Sequence, residues 1–173
     1  MRNLRKALTG WSSLTVALAI GIVSVPAATS SPSAGVPDTA LSPAELYSLY
    51  QGRTWIWPSG GAYFSPQPRS FLAWARSDKG DSYADGKWII TYDGQVCFRA
   101  DWHFHGGFTP ALTCFGHKHA DGKIYQRRLP KGEWYVFKSP RQGEIQEYSN
   151  FKLGDEATAA AGSVKLSLET AGK

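Results

Sequence analysis

The chain has 173 residues, with 19 Lys+Arg against 14 Asp+Glu. Three of the basic residues (Arg2, Arg5 and Lys6) sit in an expected export leader, so the remainder carries 16 basic against 14 acidic side chains. That near balance, with basic runs only at Gln126-Arg-Arg128 and Lys138-Ser-Pro-Arg141, excludes the concentrated basic surface that a nucleic-acid partner needs.

Residues 1–27 read as a secretory signal peptide. A basic start is followed by an apolar run at 14–23, then Val25-Pro-Ala27, with small residues placed for a signal peptidase. The apolar run is too short for a membrane span of about twenty residues, so no transmembrane segment is expected after cleavage. A periplasmic or secreted location follows. About 145 residues then remain, enough for one domain with its own core.

Residues 28–40, rich in Ser, Pro and Gly, read as a flexible spacer. Next comes a helix signature. Ser42 and Glu45 have capping-box spacing, Pro43 takes the first helical position, and Leu46, Leu49 and Tyr50 share a face. From Gly52 onward the pattern is strand and turn. Strands are expected over 54–57, 62–65, 70–76 and 87–92, with Asp93-Gly94 turning the last into Val96. Further strands are expected over 111–116, 123–128, 133–138 and 145–153. The fold class is therefore all-β: an antiparallel meander closed into a small barrel or sandwich, with one short N-terminal helix. The single β-rich domain spans 41–153, and 154–173 is a flexible tail or a last strand over 164–168.

Val96 to His105 is the most informative stretch. Val96, Phe98, Ala100, Trp102 and Phe104 alternate with Cys97, Arg99, Asp101, His103 and His105, the mark of a half-buried strand. Cys97 and Cys114 are the chain's only cysteines, and in an exported protein they are expected to form a disulfide. If they face one another across two antiparallel strands, Val96 meets Phe115, Phe98 meets Thr113 and Ala100 meets Ala111. Residues 101–110 then become the connecting loop.

Gly52-Arg-Thr-Trp-Ile-Trp57, Gly60-Gly-Ala-Tyr-Phe64, Phe71-Leu-Ala-Trp74, Gly86-Lys-Trp88, Cys97-Phe-Arg-Ala-Asp-Trp102, Cys114-Phe-Gly-His117 and Gly132-Glu-Trp-Tyr-Val136 occur in an order that resembles a family of small exported proteins of rhizobia and related alphaproteobacteria. That family is known only as a domain of unknown function. The resemblance covers roughly 41–152 and implies an exported, β-rich single domain without assigning an activity. The Gly-Lys-Trp pieces also resemble the first strand of lipocalins, an architectural likeness that says little about function.

All four histidines fall in two pairs, His103-Phe-His105 and His117-Lys-His119. Residues i and i+2 of a strand share a face about 6.5–7 Å apart, which suits a shared Zn or Cu ion. In the disulfide register, however, the two pairs lie roughly 25 Å apart at about 3.3 Å per residue, so one four-histidine site needs a sharp bend. The expectation is no cofactor, with Zn or Cu as the alternative. The stretch 101–110 carries Trp102, Phe104 and Phe108 beside Arg99, Asp101, His103 and His105, a set suited to a sugar face or a polar-rimmed ligand. Its aromatic rings also suit a plain plug at the barrel end. No nucleophile elbow or phosphate loop is present, so an enzyme is not expected. The expected function is a non-catalytic envelope protein that binds a glycan or small amphiphile at this aromatic loop. A metal-binding protein or metalloenzyme and a protein-interaction module are the alternatives.

Overall fold

A computed structural model describes residues 38–171; the expected leader and residues 28–37 of the expected spacer lie outside the described residues. The elements, in chain order, are β1 (Thr39–Ala40), α1 (Pro43–Tyr50), β2 (Arg53–Trp57), β3 (Gly60–Phe64), β4 (Ser70–Ala75), β5 (Ser82–Ile90), β6 (Gln95–Phe104), β7 (Gly107–Ala120), β8 (Lys123–Arg128) and β9 (Tyr135–Lys138). A 3-10 turn (Glu147–Asn150), β10 (Phe151–Leu153) and α2 (Thr158–Ala171) follow. The fold is the expected all-β antiparallel meander, curled into a half-barrel. Strands β2 to β9 pair in sequence order, and β10 returns to the free side of β2. Strands β9 and β10 do not pair, so the hoop is not laced shut.

Each strand places one set of alternate residues inside the curl. Arg53, Trp55 and Trp57 of β2 lie across from Phe64, Ala62 and Gly60 of β3. Phe71 and Ala73 of β4 continue the row, facing Gly86 and Ala84 of β5. The buried interior gathers Phe64, Phe71, Trp88, Val96, Phe137 and Phe151. Gly86 permits the closest strand approach, because a Cβ there would stand 2.0 Å from the Arg99 carbonyl oxygen.

The capping box forms as expected. Ser42 Oγ accepts from Glu45 N–H, and Glu45 Oε2 accepts from Ser42 N–H at 2.9 Å. The Ser42 and His119 hydrogen bonds hold the Glu45 carboxyl at about 2, well below the usual carboxylate range. Leu46, Leu49 and Tyr50 turn inward and seal one end of the curl. Tyr50 is the keystone of that seal, its ring lying 5.0 Å from Phe64, 5.2 Å from Phe151 and 5.9 Å from Phe137.

The disulfide Cys97–Cys114 is present, and Val96↔Phe115, Phe98↔Thr113 and Ala100↔Ala111 all pair as its register requires. The connection does not become a loop at Asp101. Pairing runs on through Asp101↔Pro110, Trp102↔Thr109, His103↔Phe108 and Phe104↔Gly107, leaving only His105–Gly106 as the turn. Backbone groups left in a ten-residue loop would need other partners, whereas each added rung satisfies them within the hairpin. Pro110 fits because β8 pairs with β7 only from Phe115 onward, so the missing N–H falls on a free edge.

Two further expectations are corrected at the chain ends. Thr39 and Ala40, read as spacer, pair with His119 and Lys118 of β7 just past the point where β6 stops. The tail is neither loose nor a strand. Asp155 Oδ1 accepts from the Ala157 and Thr158 N–H groups, and the alanine-rich segment that follows is helical. Ala161 and Val164 are the buried residues of α2, which lies on the outer face of β4 and β5. Thr54, buried on the outside of β2, fixes the lead-in by donating to the Gly154 carbonyl at 2.7 Å and accepting from Glu156 N–H at 2.9 Å. The expected strand over 145–153 shrinks to three residues behind the 3-10 turn.

Candidate ligand-binding site

The end of the curl opposite α1 is open. Trp57 ends β2, Arg128 ends β8 and Trp102 lies beyond Ala100 on β6, so all three stand near this mouth. Below them, Trp55, Ala62, Phe71, Phe98, Thr113 and Phe115 complete the lining of a cup of about 300 Å³. Its rings brace one another: Phe71 stacks on Phe98 at 4.4 Å, and Trp55 reaches across to Phe115 at 5.3 Å. Trp57 lies edge-on to Trp55 at 6.0 Å. Gly60 makes room for the Trp57 indole, since a Cβ there would fall 2.6 Å from the ring.

A second hollow of about 340 Å³ lies beside the extended β6–β7 hairpin, lined by Ser77, Lys79, Gly80, Ser82, Trp102, Phe104, His105 and Thr109. Trp102 lines both spaces.

The sequence-derived candidates divide accordingly. Trp102 and Phe104 face inward, and His105 sits in the hairpin turn. Arg99, Asp101, His103 and Phe108 take the alternate positions and face the outer surface, so they do not join Trp102 in one site. His103 Nε2 lies 2.9 Å from Asp85 Oδ1, with its ring stacked on Tyr83 at 4.5 Å. His119 Nε2 lies 2.9 Å from Glu45 Oε1 at the sealed end.

His117 is buried beneath the cup, where Tyr50 Oη and Gln126 Nε2 each lie 2.9 Å from its Nε2. Gln126 Nε2 also donates to the Tyr50 hydroxyl at 2.5 Å, and the Tyr135 hydroxyl donates to Gln126 Oε1. Burial pushes His117 down to about 4 and raises the Tyr50 phenol well above its usual range. The two histidine pairs are not brought together. Among the described residues no group of three or more His, Cys, Asp or Glu side chains is placed to hold a metal ion.

Sequence reasoning missed most of the cup, including Trp55, Trp57, Phe98, Phe115 and Arg128. The signal was the period-2 pattern within each strand. What was missing was the knowledge that the inner faces of β2, β6, β7 and β8 converge.

The fold and site define a small curled β-cup, plugged by a helix at one end and open at an aromatic mouth. The chain belongs to the family described as Protein of unknown function (DUF995), whose model matches residues 17–157. No curated protein and no solved structure matches it. Among the described residues no helix is long and apolar enough to cross a membrane.

Proposed function

We propose that this is an exported, non-catalytic protein of the cell envelope, of alphaproteobacterial type, periplasmic or secreted. Its cup holds the apolar part of a small amphiphile or the face of a sugar ring. The observation that carries this reading is the open cup of about 300 Å³ walled by Trp55, Trp57 and Trp102 over Phe71, Phe98 and Phe115. A concave, mostly aromatic space with few polar groups is the usual form of a small-molecule site, and this volume lies at the low end of the common range of about 300–1,000 Å³. It suits one ring or a short chain. Among the described residues, the lining holds no carboxylate or histidine, its polar groups being the Thr113 hydroxyl, the Arg128 guanidinium and the indole N–H donors. The leader pattern and the Cys97–Cys114 bond support export, because such bonds persist in oxidising compartments.

The test is tryptophan emission during titration with octyl glucoside below its micelle concentration, with free glucose alongside. Binding of either probe shifts the emission, and Trp102→Ala weakens that binding by about tenfold or more, as truncation of a central aromatic contact does. Absence of any shift in the emission of the wild-type protein with either probe, and with an octyl chain bearing a charged head, would overturn the reading.

A further inference from the structure

Resting on that reading of the cup, we infer that its ligand is an amphiphile with an anionic head, and that Arg128 is the anchor for that head. Among the described residues, Arg128 is the only charged residue in the lining, and no carboxylate shares the cup with it. It ends β8 on the inward-facing row, opposite Phe115, and so stands at the mouth with Trp57 and Trp102 while Trp55, Phe71 and Phe98 lie deeper.

Among the described residues, four other arginines lie over aromatic rings, Arg69 among them over Tyr47 and Trp88, while Arg99 and Arg141 stand outside the cup lining. Arg127, one position back and facing outward, lies over the Trp134 ring at 4.8 Å; Arg53 lies over Tyr148 at 5.4 Å; and Arg76 lies over Trp74 at 5.2 Å with Asp81 at 3.8 Å. Among the described residues Arg128 has neither an ion pair nor an aromatic partner. Its residue is exposed, so the guanidinium stays hydrated until a ligand arrives.

A guanidinium at the lip of an apolar cup selects by chemistry. Its planar fork matches the two oxygens of a carboxylate or phosphate, and the low-dielectric wall strengthens that attraction beyond its value in open water. Thr113 supplies a hydroxyl to the same lining. A neutral glycan would leave the charge unused. A carboxylate or phosphate on a short alkyl or aryl body would fill the cup with its body and meet Arg128 with its head.

Octanoate, octyl phosphate and octyl glucoside share one chain and differ in the head. Each is titrated, below its aggregation point, into the disulfide-intact protein and followed by tryptophan emission. At least one of the two anions is expected to bind ten times or more tighter than octyl glucoside, and the tighter one identifies the head as carboxylate or phosphate. Arg128→Gln should bring both anions to the level of octyl glucoside, whereas Arg127→Gln on the outer face should leave the order intact. Circular dichroism and melting temperature confirm that both variants fold. Equal affinity for all three probes, or a preference that survives Arg128→Gln, overturns the anionic head while the cup remains a binding site. Failure of all three probes to bind removes the cup reading and this inference with it.

Discussion

Below the cup, one hydrogen-bonded relay fixes the protonation of a buried histidine. Gln126 Nε2 donates to the Tyr50 oxygen, which frees the Tyr50 proton for His117 Nε2. The ring proton is thereby assigned to Nδ1, a buried atom without a hydrogen-bond partner. Such a ring is costly to charge. With His117 lowered from 6.5 to about 4 in the fold, the unfolded chain binds the extra proton first as pH drops. Its contribution is therefore complete above about 6.5 and is lost progressively as pH falls toward 4, by about 3 kcal/mol for a shift of this size. Urea unfolding at pH 7 and pH 4 should register that loss in the wild type and a clearly smaller one in His117→Gln. Glu45 acts in a lower window, its contribution being present above 4.5 and lost as pH falls toward 2. Sequence alone offered His117 as a candidate metal ligand. Of the partners that define its role, Gln126 faces it across the β7–β8 ladder 9 positions on, and Tyr50, 67 positions away, meets it only once α1 is seated.

The β6–β7 hairpin shows how far a strand's own pattern carries. Alternation from Val96 to Phe104 gave the inward and outward sets, and the facing cysteines fixed the register. Both readings depend only on strand geometry, and both hold. The end of the strand was not legible, because His103, His105 and the Gly106-Gly107 pair read as loop chemistry while the ladder in fact continues to Gly107. The tail failed for a related reason: Val164 and Leu168 suggest a strand in isolation, and only the Asp155 cap and the docking surface on β4 and β5 select the helix. The disulfide, with a sequence separation of 17, closes its loop across paired strands. Chain-entropy reasoning assigns it about 3 kcal/mol. Replacing both cysteines by alanine should lower the free energy of chemical unfolding by about that amount while the near-ultraviolet circular dichroism of the native state persists. Collapse of that native signal in the double variant would mean that the staple specifies the hairpin as well as stabilising it.

At the scale of the whole fold, nearly all strand pairs among the described residues are neighbours in sequence; the exceptions are β1 on β7 and β10 on β2. The second joins Phe151 to Trp55 and so spans most of the described chain. Pairing of distant segments carries the larger loop-closure cost, and the joining strand has only three residues. Hydrogen exchange should therefore find β10 and β9 the least protected strands, with β5, β6 and β7 the most protected. Equal protection around the sheet would refute this ranking. The cup became visible only at this scale, since its walls come from six strands and no single segment carries more than a few of its residues.

The gap between β9 and β10 is bridged by side chains. Tyr148 sits there with Arg53 of β2 at 5.4 Å and Lys138 of β9 at 4.6 Å from its ring, and with Phe137 and Phe151 packed at 5.4 Å and 5.5 Å. A ring split along one line yields along that line. Parting the wall at this slit would sever no backbone hydrogen bond between β9 and β10, and β8, which bears Arg128, stands one strand from it. If the cup binds as proposed, a guest bulkier than the resting hollow would strain this seam before any other part of the wall.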